Sequence, residues 1–138
     1  MIRTNNILKF LLVEDEPIAQ IIGQNIIEKA GYKLDIVNST KKAFNLLQHQ
    51  KYDLIFMDLG LPGISGIEFT KVLVKKLKVE TPIIAITAFN SHSKKDECLK
   101  NGFKAFLEKP FTEKQLQNII NKFCLSYISD CTDMACIS

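Results

Sequence analysis

A doubly wound α/β domain on a five-stranded parallel sheet is predicted by this sequence, from three observations. Short apolar runs of strand length alternate with segments whose apolar residues recur at helical spacing, five times over. The runs are nearly continuous in Val, Ile, Leu, Phe and Met, the pattern of strands covered on both faces. Strict alternation of strand and helix then implies right-handed crossovers and parallel strands. At 138 residues and 46% hydrophobic content, the chain suits one domain with a sizeable core and leaves no room for a second.

The elements follow in order. A first strand is expected near Ile7 to Val13 and closes at Glu14-Asp15-Glu16. Pro17 suits the first turn of a helix, where its missing N–H costs nothing. Ile18, Ile21, Ile22 and Ile26 form the stripe expected to face the sheet, and Gly31 supplies a left-handed stop. The second strand, Lys33 to Val37, precedes a helix over Thr40 to Gln48. The third, Leu54 to Met57, ends at Asp58, a carboxylate expected to stand exposed before the turn-rich Leu59-Gly60-Leu61-Pro62-Gly63 and a helix over Gly66 to Lys78. Ile83 to Ile86 makes a fourth strand closed by Thr87, and the helix over Ser91 to Lys100 stops at Asn101-Gly102. After a fifth strand, Ala105 to Leu107, comes Lys109-Pro110. Thr112 and Gln115 are then spaced as a capping box, ahead of Leu116, Ile119, Ile120 and Phe123 at i, i+3, i+4 and i+7. Periodicity fades beyond Ser126, so the domain is assigned to residues 1–125, and residues 126–138 to a C-terminal tail or linker stub without an effector domain.

Composition narrows the function. A formal charge of +3, with lysines interleaved among acids rather than grouped with aromatics, argues against a nucleic-acid surface. The longest apolar stretches are strand-sized and Met1 to Asn6 lacks a secretory core, so a cytoplasmic protein without membrane contact is expected. Cys98, Cys124, Cys131 and Cys136 form no CxxC pair and lie far along the chain from His49 and His92. Neither a zinc site nor a redox motif is encoded, and the thiols read as buried or idle.

Parallel strands bring Glu14, Asp15, Asp58, Thr87 and Lys109 to one sheet edge, where ligands of open α/β sheets bind. Each has a plainer role taken singly: Asp15 as a helix cap, Asp58 as a turn residue, Thr87 as a strand end, Lys109 as a solvated cation. Their convergence is what those roles do not explain. Carboxylates ~4 Å apart repel by on the order of 4 kcal/mol per pair at an effective dielectric near 20. One lysine cannot offset that, but a hard divalent cation can, which points to Mg²⁺ with Mn²⁺ as a substitute. Asp15 and Asp58 would ligate it directly, Glu14 through water, and the Gly60 carbonyl would complete the shell. Asp58, its charge partly neutralised, can then attack phosphorus as a carboxylate nucleophile, with Lys109 holding the transferring oxygens. Thr87 offers a hydroxyl that can turn to the new phosphoryl group, and small Ala88 leaves access.

The segments VEDEP around Asp15, MDLGLPG around Asp58, ITA around Thr87 and FLEKPF around Lys109 together resemble the response-regulator receiver domain, over Ile7 to Phe123. The resemblance implies a flavodoxin-like (βα)5 fold of strand order 2-1-3-4-5. By that likeness Glu14 and Asp15 are the metal-binding acidic pair, Asp58 the phosphorylated aspartate, Thr87 the switch hydroxyl and Lys109 the phosphoryl-contacting lysine. It further implies a cis bond at Lys109-Pro110 and a switch aromatic at Phe106. Many relatives carry tyrosine at that last position; phenylalanine keeps the ring and loses the hydroxyl, so readout through packing is expected. Glu14 replaces the commoner aspartate, and Gly60 has no side chain to obstruct or place attacking water. The donor would be a histidine kinase or a histidine phosphotransfer protein, and the receiver a monomer or weak phosphorylation-dependent dimer. The DLGLPG and TPIIAITAF stretches look most like receivers of hybrid sensor kinases.

Other classes fit less well. An aspartate-nucleophile phosphatase of the haloacid-dehalogenase kind would carry DxD on its first strand, whereas Asp58 lies on the third and is followed by Leu59-Gly60. A flavodoxin-like cofactor binder needs a phosphate-cradling loop where this chain has Glu14-Asp15-Glu16. A degenerate receiver serving as a scaffold is disfavoured because every switch element is present. The expected chemistry is self-catalysed phosphotransfer and autodephosphorylation, without enzymatic turnover.

Overall fold

Each apolar run forms a strand in the computed structural model, which describes residues 7–88 and 92–124. The strands are β1 (Lys9–Val13), β2 (Lys33–Val37), β3 (Leu54–Asp58), β4 (Ile83–Thr87) and β5 (Ala105–Glu108). Between and after them run α1 (Pro17–Lys29), α2 (Thr40–Leu47), α3 (Gly66–Lys75), α4 (His92–Lys100) and α5 (Glu113–Phe123). All strand pairs are parallel, as the sequence pattern implied, and the order is β2-β1-β3-β4-β5, as the resemblance implied. Residues 126–138 and Ser91, to which a tail and a helix start were assigned, lie outside the described residues.

Two cores follow from the alternation of side chains across the sheet. On one face Phe10, Leu12, Leu54, Phe56, Ile84 and Ile86 meet Ile27 of α1 with Leu116 and Ile120 of α5. On the other Leu11, Val13, Ile55, Met57, Ile83 and Ala85 meet Ala43 of α2, Phe69 and Leu73 of α3, and Cys98 of α4. Every residue of β3 and β4 is buried, which is why those strands read as unbroken apolar runs. Each large apolar side chain among them contributes roughly 1.5–3 kcal/mol by leaving water.

Helix ends follow the chemistry of their residues. Pro17 occupies the first turn of α1, and Ser39 and Ser65 accept from the N–H groups of Lys42 and Glu68. The Thr112–Gln115 capping box is reciprocal: Thr112 Oγ1 accepts from Gln115 N–H at 3.1 Å, and Gln115 Oε1 from Thr112 N–H at 2.8 Å. Gly31 (φ +97°) and Gly102 (φ +108°) turn the chain after α1 and α4 in the left-handed region open to glycine. α3 ends at Lys75, short of the expected Lys78, which itself has a positive φ of 56°.

The buried stripe of α1 is corrected. Ile18, Ile21 and Ile22 are exposed (68, 56 and 42%), Ile26 is half-buried, and Gly23 and Ile27 face the sheet. The reason is a close approach: a Cβ on Gly23 would stand 3.0 Å from Leu12 Cδ2, so the helix seats on its one position without a side chain. This rotates the larger isoleucines toward solvent. No described helix is long and apolar enough to cross a membrane.

Candidate functional site

Asp58 ends β3 and Thr87 ends β4, while Glu14-Asp15 and Lys109 follow β1 and β5 directly. Hydrogen bonds carry the sheet past these ends: Glu14 N–H donates to Val37 O (3.0 Å), Leu59 N–H to Ile86 O (2.9 Å) and Lys109 N–H to Thr87 O (2.7 Å). The backbone under each functional side chain is therefore fixed by a neighbouring strand. α3 reinforces it, since Gly66 lies so near β3 that a Cβ would meet the Asp58 carbonyl oxygen at 2.9 Å.

Glu14, Asp15, Asp58, Gly60, Thr87, Ala88 and Lys109 line one open pocket of about 620 Å³. Carboxylate oxygens of Glu14, Asp15 and Asp58 lie within 4.8 Å of one another, close enough to share a cation. Asp58 is not exposed, as its turn-rich flank suggested, but only 5% accessible, because it is the last paired residue of a central strand rather than the first of the turn. Its Oδ1 accepts from Gly60 N–H at 3.0 Å, and its Oδ2 lies 3.4 Å from Lys109 Nζ. The carboxylate is thus held at both oxygens. Phe106 is half-buried against the α2–α4 core and does not line the pocket.

Lys109 makes its shortest ion pair with Glu14, Nζ to Oε1 at 2.5 Å. Glu14 is 2% exposed and also accepts from Glu16 N–H at 3.2 Å. Burial pushes its carboxyl above the ordinary 4.5, Lys109 pulls it back and neighbouring Asp58 adds to the rise, so the net shift is upward. For Lys109, burial favours loss of the proton, but Glu14 and Asp58 outweigh it and hold the ammonium above its usual range. The lysine is therefore charged at neutral pH. Lys109-Pro110 is a cis peptide, as the resemblance implied.

Two features escaped the sequence. Lys94, from the start of α4, lines the same pocket; nothing in its local pattern distinguishes it from the other lysines of that helix. An apolar groove of about 300 Å³ adjoins the pocket, with Ile18 and Ile22 of α1 on one wall and Pro110-Phe111 on the other. Glu14, Ala88 and Lys109 border both. An uncharged run from Pro17 to Ile27 was the available signal for it. Elsewhere, Cys98 is buried, as expected, and that burial lifts its thiol to about 11.

Comparison with known proteins agrees with this geometry. Residues 10–121 match the family model of the response regulator receiver domain. The osmosensing histidine protein kinase SLN1 of Saccharomyces cerevisiae is 31% identical over 87% of this chain, and the aerobic respiration control sensor protein ArcB of Escherichia coli 33% over 84%. The chain spans only 10% and 15% of the lengths of those two proteins. The two-component response regulator 24 of Arabidopsis thaliana is 34% identical, with 83% of each chain covered. Among solved structures, the receiver domain of sensor histidine kinase PA1611 from Pseudomonas aeruginosa, with magnesium in its active site cleft, superimposes with a TM-score of 0.76 at 31% identity, covering 86% of this chain and 98% of that one. The chemotaxis protein CheY4 of Vibrio cholerae gives 0.77 at 28%, covering 86% and 99%. With the family model spanning most of the chain and the strand order, acidic cluster and lysine all in place, this chain belongs to the response regulator receiver domain family.

Proposed function

We propose that this receiver accepts a phosphoryl group on Asp58 from a phosphohistidine donor, a histidine kinase or a histidine phosphotransfer protein, in a reaction that requires Mg²⁺. The observation that carries this is the state of Asp58: recessed, held by Gly60 N–H and Lys109, and within reach of two further carboxylates. Glu14, Asp15 and Asp58 offer the hard oxygen set that suits Mg²⁺, and the Gly60 carbonyl is the backbone oxygen assigned to complete it. When bound, the ion would neutralise the acids and withdraw charge from the phosphoryl oxygens.

One Asp58 carboxylate oxygen attacks phosphorus in line, forming the acyl phosphate as the phosphorus–nitrogen bond to the donor imidazole breaks; that electron pair stays on the leaving nitrogen. Gly60 N–H orients the nucleophile, and Lys109 moves from Asp58 Oδ2 toward the incoming oxygens while keeping Glu14. Rigid placement is the main contribution, because phosphoryl transfer needs positioning and charge stabilisation more than covalent help. The apolar groove beside the pocket would seat the donor: Ile18, Ile22 and Phe111 give a helix bearing the phosphohistidine something to bury next to Asp58. Afterwards Thr87 turns to the phosphoryl group and Phe106 repacks inward, altering the surface of α4, β5 and α5. The site so described functions in the cytoplasm, as a stand-alone regulator or as part of a hybrid kinase.

The test is intact-mass spectrometry after incubation with acetyl phosphate and Mg²⁺. One phosphoryl mass is expected on the wild type, none on Asp58→Asn and none after chelation. An adduct that survives Asp58→Asn would place the chemistry elsewhere.

A further inference from the structure

We infer that Lys94 is a second phosphoryl-binding cation, closing on the loaded Asp58 from the α4 side of the pocket; the inference rests on the phosphoacceptor function proposed above. Lys94 and Lys109 come from different elements, one at the start of α4 and one after β5, and line the same pocket as Asp58 and Thr87. Lys109 is already shared between Glu14 at 2.5 Å and Asp58 at 3.4 Å, so its ammonium cannot be given wholly to new phosphoryl oxygens.

Charge points the same way. Glu14, Asp15, Glu16 and Asp58 set four formal negative charges in the lining against two from Lys94 and Lys109. A divalent cation would bring that lining to neutrality. Exchanging the Asp58 charge for a phosphoryl group carrying about −1.5 to −2 makes the site negative again, nearest phosphorus. Lys94 stands on an exposed stretch of α4, and its long flexible stem gives its ammonium the reach to turn toward the new phosphoryl oxygens. Because its anchor is α4, the contact ties the placement of that helix directly to the phosphorylation state, in parallel with Thr87 and Phe106.

The two ligands of the site should respond in opposite senses, which a purely structural lysine would not produce. Isothermal titration of wild type, Lys94→Ala, Lys94→Arg and Lys95→Ala would measure Mg²⁺ alone, then beryllofluoride in saturating Mg²⁺. Lys95 is the control, an exposed lysine on the same helix that is not part of the lining. Lys94→Ala should weaken beryllofluoride about 3- to 5-fold and strengthen Mg²⁺ up to about 3-fold, the size expected for one solvent-facing charge. Lys94→Arg should restore the first effect, and Lys95→Ala should show neither. Equal beryllofluoride affinity in Lys94→Ala and Lys95→Ala would overturn the assignment, as would a loss of both ligands together. A wild type that takes Mg²⁺ but no beryllofluoride would instead overturn the phosphoacceptor function, and the role of Lys94 with it.

Discussion

Replacing Gly66 by alanine tests whether α3 sets the position of Asp58. The added Cβ would lie 2.9 Å from the Asp58 carbonyl oxygen and 3.2 Å from both Leu59 Cδ2 and Met57 Cγ. The two side chains can yield by a few tenths of an ångström. The carbonyl cannot yield freely, because its strand is paired with β4 and the next N–H donates to Ile86 O at 2.9 Å. Overpacking of this kind costs about 1–3 kcal/mol. Alanine's better helix propensity returns at most ~1 kcal/mol, and less at the first helical residue, so packing wins and a net loss of about 1–2 kcal/mol is expected. Urea denaturation would read this as a lower midpoint at unchanged slope. If the clash is relieved by shifting Asp58, acetyl-phosphate loading should slow by roughly 10-fold, since small misplacements of a nucleophile are expensive. Gly60→Ala is the control: its Cβ would sit an ordinary 3.6 Å from Asp58 Oδ1, and stability should stay within about 0.5 kcal/mol of wild type. A Gly66→Ala protein with wild-type midpoint and loading rate would refute the idea that this contact holds Asp58 in place.

Other expected outcomes bear on separate parts of the molecule. Ile18→Lys and Ile22→Lys, at exposed positions beside the pocket, should leave acetyl-phosphate loading intact while slowing transfer from a phosphohistidine protein about 10-fold or more, measured by loss of label from the donor. Thr112→Ala removes one half of the α5 capping box and should cost about 1 kcal/mol in urea denaturation, with Thr112→Ser losing much less. Glu14 supplies a pH dependence. Its folded carboxyl titrates above 4.5, so between that value and its raised one the folded state binds more protons than the unfolded chain, and its contribution to stability is lost as pH rises through that window. Metal-free unfolding should therefore show the difference between wild type and Glu14→Gln turning against wild type as pH climbs, then levelling; a flat difference would contradict the raised value. Added Mg²⁺ should reverse the trend, favouring wild type more strongly at pH 7 than at pH 5.

Much of the site was legible because it depends on order along the chain. Strands announce themselves by apolar runs, and in a parallel sheet the residue after each run must fall on the same edge, so Asp15, Asp58, Thr87 and Lys109 could be brought together before any distance was known. Caps were legible for a similar reason: Thr112 and Gln115 interact within one turn, and Pro17 and Gly31 act through their own backbone angles. The stripe on α1 was not, because four isoleucines make a better apolar face on paper than one glycine does.

What the sequence determined by itself is therefore whatever is encoded locally: element type, parallel order of the active edge, and the chemical identity of the groups delivered to it. The tertiary structure alone decided which groups touch. Gly23 against Leu12 turned Ile18, Ile21 and Ile22 outward and made a groove beside the acidic pocket. The meeting of β1, β3 and β5 at one edge sank Asp58 to 5% exposure and gave Lys109 to Glu14 first and Asp58 second. The packing of α4 brought Lys94 to the same pocket. Burial and ion pairing depend on separations of a few ångströms between residues tens of positions apart, and those distances are set by how helices seat on the sheet, to which no local pattern has access.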